Sequence, residues 1–151
     1  MIKGSGYLGN QSASGATAVM VDGDTLFTIA GGPIRIIGLQ SVCIAANNTV
    51  ASTLQYQSAP TVGTASTISG ASASLASATA GSTVTLNGTA LTTAPDLVAA
   101  SAGGVSLGAN VANHIIVQAG TIKAVIGVGS TTGTWRHYIS YVPLAPGVTV
   151  A

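Results

Sequence analysis

Where the chain has a hydrophobic pattern, its period is two. The sharpest case is residues 134–144, in which Trp135, His137, Ile139 and Tyr141 fall on one face of an extended strand and Arg136, Tyr138, Ser140 and Val142 on the other. This segment carries the only Trp and two of the four Tyr, so the core is expected to be built around it. Residues 49–57 alternate in the same way, with Val50, Ser52, Leu54 and Tyr56 sharing a face. Upstream, Asp22-Gly23-Asp24 reads as a turn into a strand at 25–29, and Gly31-Gly32-Pro33 punctuates it. The run from Ile34 to Ile44 is apolar on both faces, as suits a strand inside a sandwich or at a subunit contact.

Further on, Asn87-Gly88 between 83–86 and 89–92 predicts a two-residue hairpin, because a type I′ turn needs positive φ at both central positions. Ala94-Pro95-Asp96 should stop its second strand. Strands at 113–118 and 121–126 follow, and 148–150 forms a short tail. Residues 64–82 and 97–110 are Ala/Ser/Thr/Gly connections; a short helical turn at 74–78 is the alternative to coil there. No helical period of useful length occurs. The sum is an all-β chain, an antiparallel β-sandwich or jelly roll of about eight short strands. Residues 1–20 are expected to form an extended, flexible N-terminal arm ahead of a sandwich domain at 21–151. Such an arm either frays or orders against a neighbouring subunit, with Lys3, Tyr7 and Leu8 as its contacts.

Composition narrows the partners. Of 151 residues, 47% are hydrophobic but only 4% aromatic, so the core must be made mainly of small and β-branched groups. Charged residues are 5% of the chain, and the four cations, Lys3, Arg35, Lys123 and Arg136, are dispersed. With a formal net charge of +1 there is no electrostatic footprint for nucleic acid. A surface so poor in charge is a solubility liability for a free monomer and fits a protein covered by other subunits. Mean hydropathy is +0.59, yet no apolar run reaches the ~18 residues of a membrane helix. The lone Cys43 has no partner for an intrachain disulfide.

Candidate chemistry is sparse. The chain has no Glu, and Asp22, Asp24 and Asp96 stand in turn contexts, which argues against paired-carboxylate catalysis. His114, His137 and Cys43 are too few for a closed zinc site within one chain. No Gly-x-Ser-x-Gly elbow and no phosphate loop is present. Trp135 could stack on a sugar, but a lone Trp flanked by strand residues reads first as core. The expectation is a non-enzyme without cofactor or metal.

Two segments resemble a known group. Gly120-Thr121-Ile122-Lys123-Ala124 and the run from Gly133 through Trp135, Tyr141 and Pro143-Leu144 to Pro146-Gly147-Val148 are similar to the C-terminal signature of small virion proteins of tailed bacteriophages. The stretch from Gly23 to Ile34 resembles the first strand pair of the same group. The resemblance implies a capsid decoration (cement) protein, a homotrimer bound to the major capsid protein. It would be made in the host cytoplasm and seated on the outside of the virion head across capsomer junctions. It implies no catalytic residues, no nucleic-acid partner and no membrane. The alternative is a tail-fibre or head-fibre module that binds a host receptor or glycan.

Overall fold

The computed structural model describes residues 11–99, 114–129 and 131–151. In chain order the strands are β1 Gln11–Ser14, β2 Ala18–Val19, β3 Thr25–Ala30, β4 Ile34–Ala45, β5 Thr53–Pro60 and β6 Ser66–Thr67. They continue with β7 Thr83–Thr85, β8 Asp96–Val98, β9 Ile115–Val117, β10 Gly120–Gly127, β11 Thr134–Pro143 and β12 Thr149–Val150. One sheet runs β1-β11-β4-β7-β8, with β2 also on β11 and β9 also on β4; the other runs β12-β3-β10-β5-β6. Every pairing is antiparallel. The chain crosses between sheets at β2–β3, β3–β4, β4–β5, β6–β7, β9–β10, β10–β11 and β11–β12. The two sheets enclose one core cluster, so the architecture is an all-β sandwich.

The β4–β11 ladder is the spine of the larger sheet. It runs from Ile34 opposite Pro143 to Ala45 opposite Thr134. On β11 the alternation is realised as expected: Trp135, His137, Ile139 and Tyr141 are buried, while Arg136 and Tyr138 are exposed. On β4 the register shifts twice, at Ile44 near the strand's end and at Ile37 within it. Ser140 pairs with Gly38 and Tyr141 with Ile36, leaving Ile37 as a bulge. The bulge reverses the phase of the strand: Ile34 and Ile36 face the core before it, and Leu39, Ser41 and Cys43 after it. That phase change is why β4 reads as apolar on both faces. A similar shift on β3, where Ile122 pairs with Phe27 and Lys123 with Thr25, sends both Leu26 and Phe27 inward.

The serine-rich stretch after β6 has a definite task. Ile68 N donates to Tyr56 O, Ser72 N to Leu54 O and Leu75 N to Ser52 O. In return, Ser69 Oγ and Ser72 Oγ accept from Tyr56 N and Leu54 N at 2.9 and 3.0 Å. Serine hydroxyls thus stand in for the carbonyls of a neighbouring strand and satisfy the edge of β5. Residues 74–78 are turn and coil, without helix.

Two expectations need correction. Asn87-Gly88 is not a hairpin: β7 pairs with β8 at 96–98, and residues 89–92 form turns instead of a strand. Leu86 is held by its amide to Leu39 O and is fully buried, which carries the chain past the Asn-Gly position before it can reverse. Asp96 consequently opens a strand where it was expected to end one. Val50, expected to face the core with Ser52, Leu54 and Tyr56, is 38% exposed, because β5 begins only at Thr53. Of the expected arm, residues 1–10 lie outside the described residues; β1 and β2 run along the free edge of β11.

Candidate functional site

Polar side chains meet in the core at one place. His137 and Ser41 stand directly opposite each other on β11 and β4, both at inward positions, and Tyr56 reaches them from β5 in the facing sheet. Ser41 Oγ is 2.8 Å from His137 Nδ1 and 2.9 Å from the Tyr56 hydroxyl. Tyr56 in turn donates to Val84 O at 3.0 Å. All three contacts can be made together in only one way. Tyr56 has one proton and gives it to the carbonyl, so it accepts from Ser41; Ser41 has then spent its proton, so His137 Nδ1–H must donate to Ser41 Oγ. His137 is therefore the Nδ1–H tautomer, and Nε2 carries the lone pair.

Burial sets the protonation. Desolvation pulls the His137 pKa down to about 4, with the Asp24 carboxylate opposing the shift, and pushes the Tyr56 hydroxyl well above its ordinary value. At neutral pH the chain is uncharged and closed on itself. It joins the two sheets through hydrogen bonds within the apolar core.

His137 borders a cleft of about 210 Å³ whose lining includes Ala16, Ala18, Met20, Asp24, Thr25 and Leu26. Gly15 lets the chain close over the ring: its amide donates to His137 O at 2.9 Å, and a Cβ there would sit 2.8 Å from Leu26 O. Asp24 is fixed by a turn in which Asp24 N donates to Val21 O and Val21 N donates to Asp24 Oδ2 at 2.7 Å. Gly23 supplies the positive φ of 85° at the third position, as a type II turn requires. Asp22 is occupied by the Ile126 amide. The expected turn role of the two carboxylates is what the structure has.

The remaining candidates are dispersed. His114, exposed before β9, borders a groove with residues of 88–91 and is not brought to His137. Cys43 is buried, its Sγ directed at Ala45 O, and burial pushes its thiol pKa up. Among the described residues no three His, Cys, Asp or Glu side chains are placed to hold a metal. Trp135 is fully buried, so no sugar can stack on its ring, and its Nε1 has no hydrogen-bond partner. Ser41 is equally inaccessible and meets the imidazole through Nδ1, with Tyr56 on its other side; a nucleophile would need an open face. The expected contacts Lys3, Tyr7 and Leu8 lie outside the described residues.

Comparison of the chain with protein-family models, with curated proteins and with solved structures gives no match.

Sequence reasoning missed Ser41, Tyr56 and Asn47. Asn47 is buried and ties three segments together: its Oδ1 accepts from the Thr132 and Gly133 amides at 3.0 and 2.9 Å, and its Nδ2 donates to Leu75 O at 2.9 Å. A polar residue at an inward position of an otherwise apolar strand, as Ser41 is, was the available signal for a buried partner.

Proposed function

We propose that the chain is a structural virion protein of the capsid decoration type, binding the outside of a tailed-phage head across capsomer junctions and stabilising it. The observation that carries the reading is where the two resembling segments lie. The stretch from Gly23 to Ile34 supplies β3 and opens β4, and the stretch from Gly120 to Val148 supplies β10 and β11. They pair along β3 and β10 in one sheet, and in the other they meet where Ile34, the first residue of β4, stands opposite Pro143 of β11. Segments far apart in sequence thus touch in both sheets, which is compatible with their belonging to one pattern.

The chemistry of the site is in keeping with a binding role. Its buried polar chain links Ser41, Tyr56 and His137 internally, and both titratable members are held neutral at physiological pH. A chain with only 5% charged residues suits broad contact with the major capsid protein and with sister copies in a homotrimer. Several weak contacts made at once by a trimer would give the hold through avidity.

The test is binding to heads of the phage that encodes the chain, prepared without it. Saturable co-sedimentation, with decorated heads opening at a higher temperature than bare ones, is the expected result. Retention on host cells or a glycan array without head binding overturns it and favours the tail-fibre or head-fibre module.

A further inference from the structure

We propose that the cleft beside His137 receives a lysine side chain of a partner protein. The site is a cleft bordered by two acceptors, His137 and Asp24, and by mostly apolar side chains. His137 is only 5% exposed and borders the cleft, and with its Nδ1 proton committed to Ser41 it has the Nε2 lone pair left to offer. Among the described residues Nε2 accepts no hydrogen bond, and it is not sealed from solvent. Asp24 borders the same cleft; one carboxylate oxygen takes the Val21 amide, and among the described residues the group pairs with no cation. The rest of the lining is Ala16, Ala18, Val19, Met20, Leu26 and the neutral Thr25, which offer no competing charge.

A ligand for this arrangement must bring donors, positive charge and an apolar stem. A lysine has all three: an ammonium with three rotatable protons for Nε2 and the free Asp24 oxygen, and four methylenes for the walls. Arginine fits less well. Its planar fork is matched to both oxygens of a carboxylate, and here the turn already occupies one of them. Size is adequate, since a cavity of ~150 Å³ takes a benzene ring and this cleft is about 210 Å³. The site stands on its own geometry and holds whichever assembly the protein joins.

The test is an NMR titration of the full chain at neutral pH with Nα-acetyl-lysine methylamide, following the His137 ring and the Met20 methyl. The arginine and norleucine counterparts serve as comparisons. Saturable shifts with lysine, weaker by about tenfold or more in Asp24→Asn and with norleucine, are expected. Asn at position 24 keeps an oxygen for the Val21 amide, so the turn survives. Ala16→Leu, at an exposed position, fills the cleft and should remove the shifts without unfolding the domain. Norleucine binding as well as lysine, arginine binding more tightly, an unchanged affinity in Asp24→Asn, or no saturable shift at the solubility limit would each overturn the proposal.

Discussion

His137 Nδ1 lies 2.8 Å from Ser41 Oγ at a directly paired position of the β4–β11 ladder, and among the described residues the serine is the only group that accepts its proton. Ser41→Ala therefore strands a buried N–H and leaves the Tyr56 oxygen without its donor. The expected loss is about 2–3 kcal/mol of unfolding free energy, read by urea denaturation. Tyr56→Phe should cost less, about 1–2 kcal/mol, because Ser41 can then turn its proton to a re-tautomerised His137. Equal stability of Ser41→Ala and the parent chain would contradict the network.

Acid should weaken the fold in a defined window. The His137 pKa is about 4 in the folded chain against an ordinary 6.5, so the unfolded chain binds the proton more readily. Its contribution is whole above pH 6.5, declines as the pH falls toward 4, and is fully lost below that. The size is about 3 kcal/mol. Denaturation midpoints between pH 7 and 4 should show this fall, and the His137 ring resonances should titrate near 4. A titration near 6.5 would contradict it.

Asn47 should be worth more than its place in a turn suggests. Asn47→Ala removes one donor and two acceptor contacts at a buried site, leaving the Thr132 and Gly133 amides and the Leu75 carbonyl to find water. A loss of about 2–4 kcal/mol is expected. Hydrogen exchange should show the loosening first in residues 131–133.

Two glycines separate conformational strain from collision. Gly23 has φ 85° with open space around it, so Gly23→Ala should cost only about 1 kcal/mol. Gly120 has φ 149°, and a Cβ there would run into the Ala59 carbonyl oxygen and lie 2.6 Å from Pro60 Cα. Gly120→Ala should cost at least ~3 kcal/mol, because β10 must pull away from β5. Comparable thermal shifts for the two variants would contradict the distinction.

The legible parts of this fold are those whose reach is local. The β11 alternation, the Asp22-Gly23-Asp24 turn and the all-β class follow from period and turn chemistry within a few residues. Asn87-Gly88 misled because its signal describes a hairpin in isolation, whereas Leu86 is drawn into the core against Leu39 and the true partner strand begins at Asp96. The strand phases of β3 and β4 were hidden by single-residue bulges, which leave no mark on composition. The polar chain was hidden for another reason. Ser41 lies 15 residues from Tyr56 and 96 from His137, so only the folded topology brings the three together.

The bulge at Ile37 has a mechanical meaning too. Below it, β4 is bonded on one side to β9 through residues 34–36; above it, to β7 through residues 40–42. Only β11 spans both halves. Tension along the strands must pass through the β4–β11 ladder as shear shared by its whole row of hydrogen bonds, while β9 and β7 each brace one half. A pull on either rim of this sheet is met by the same two strands.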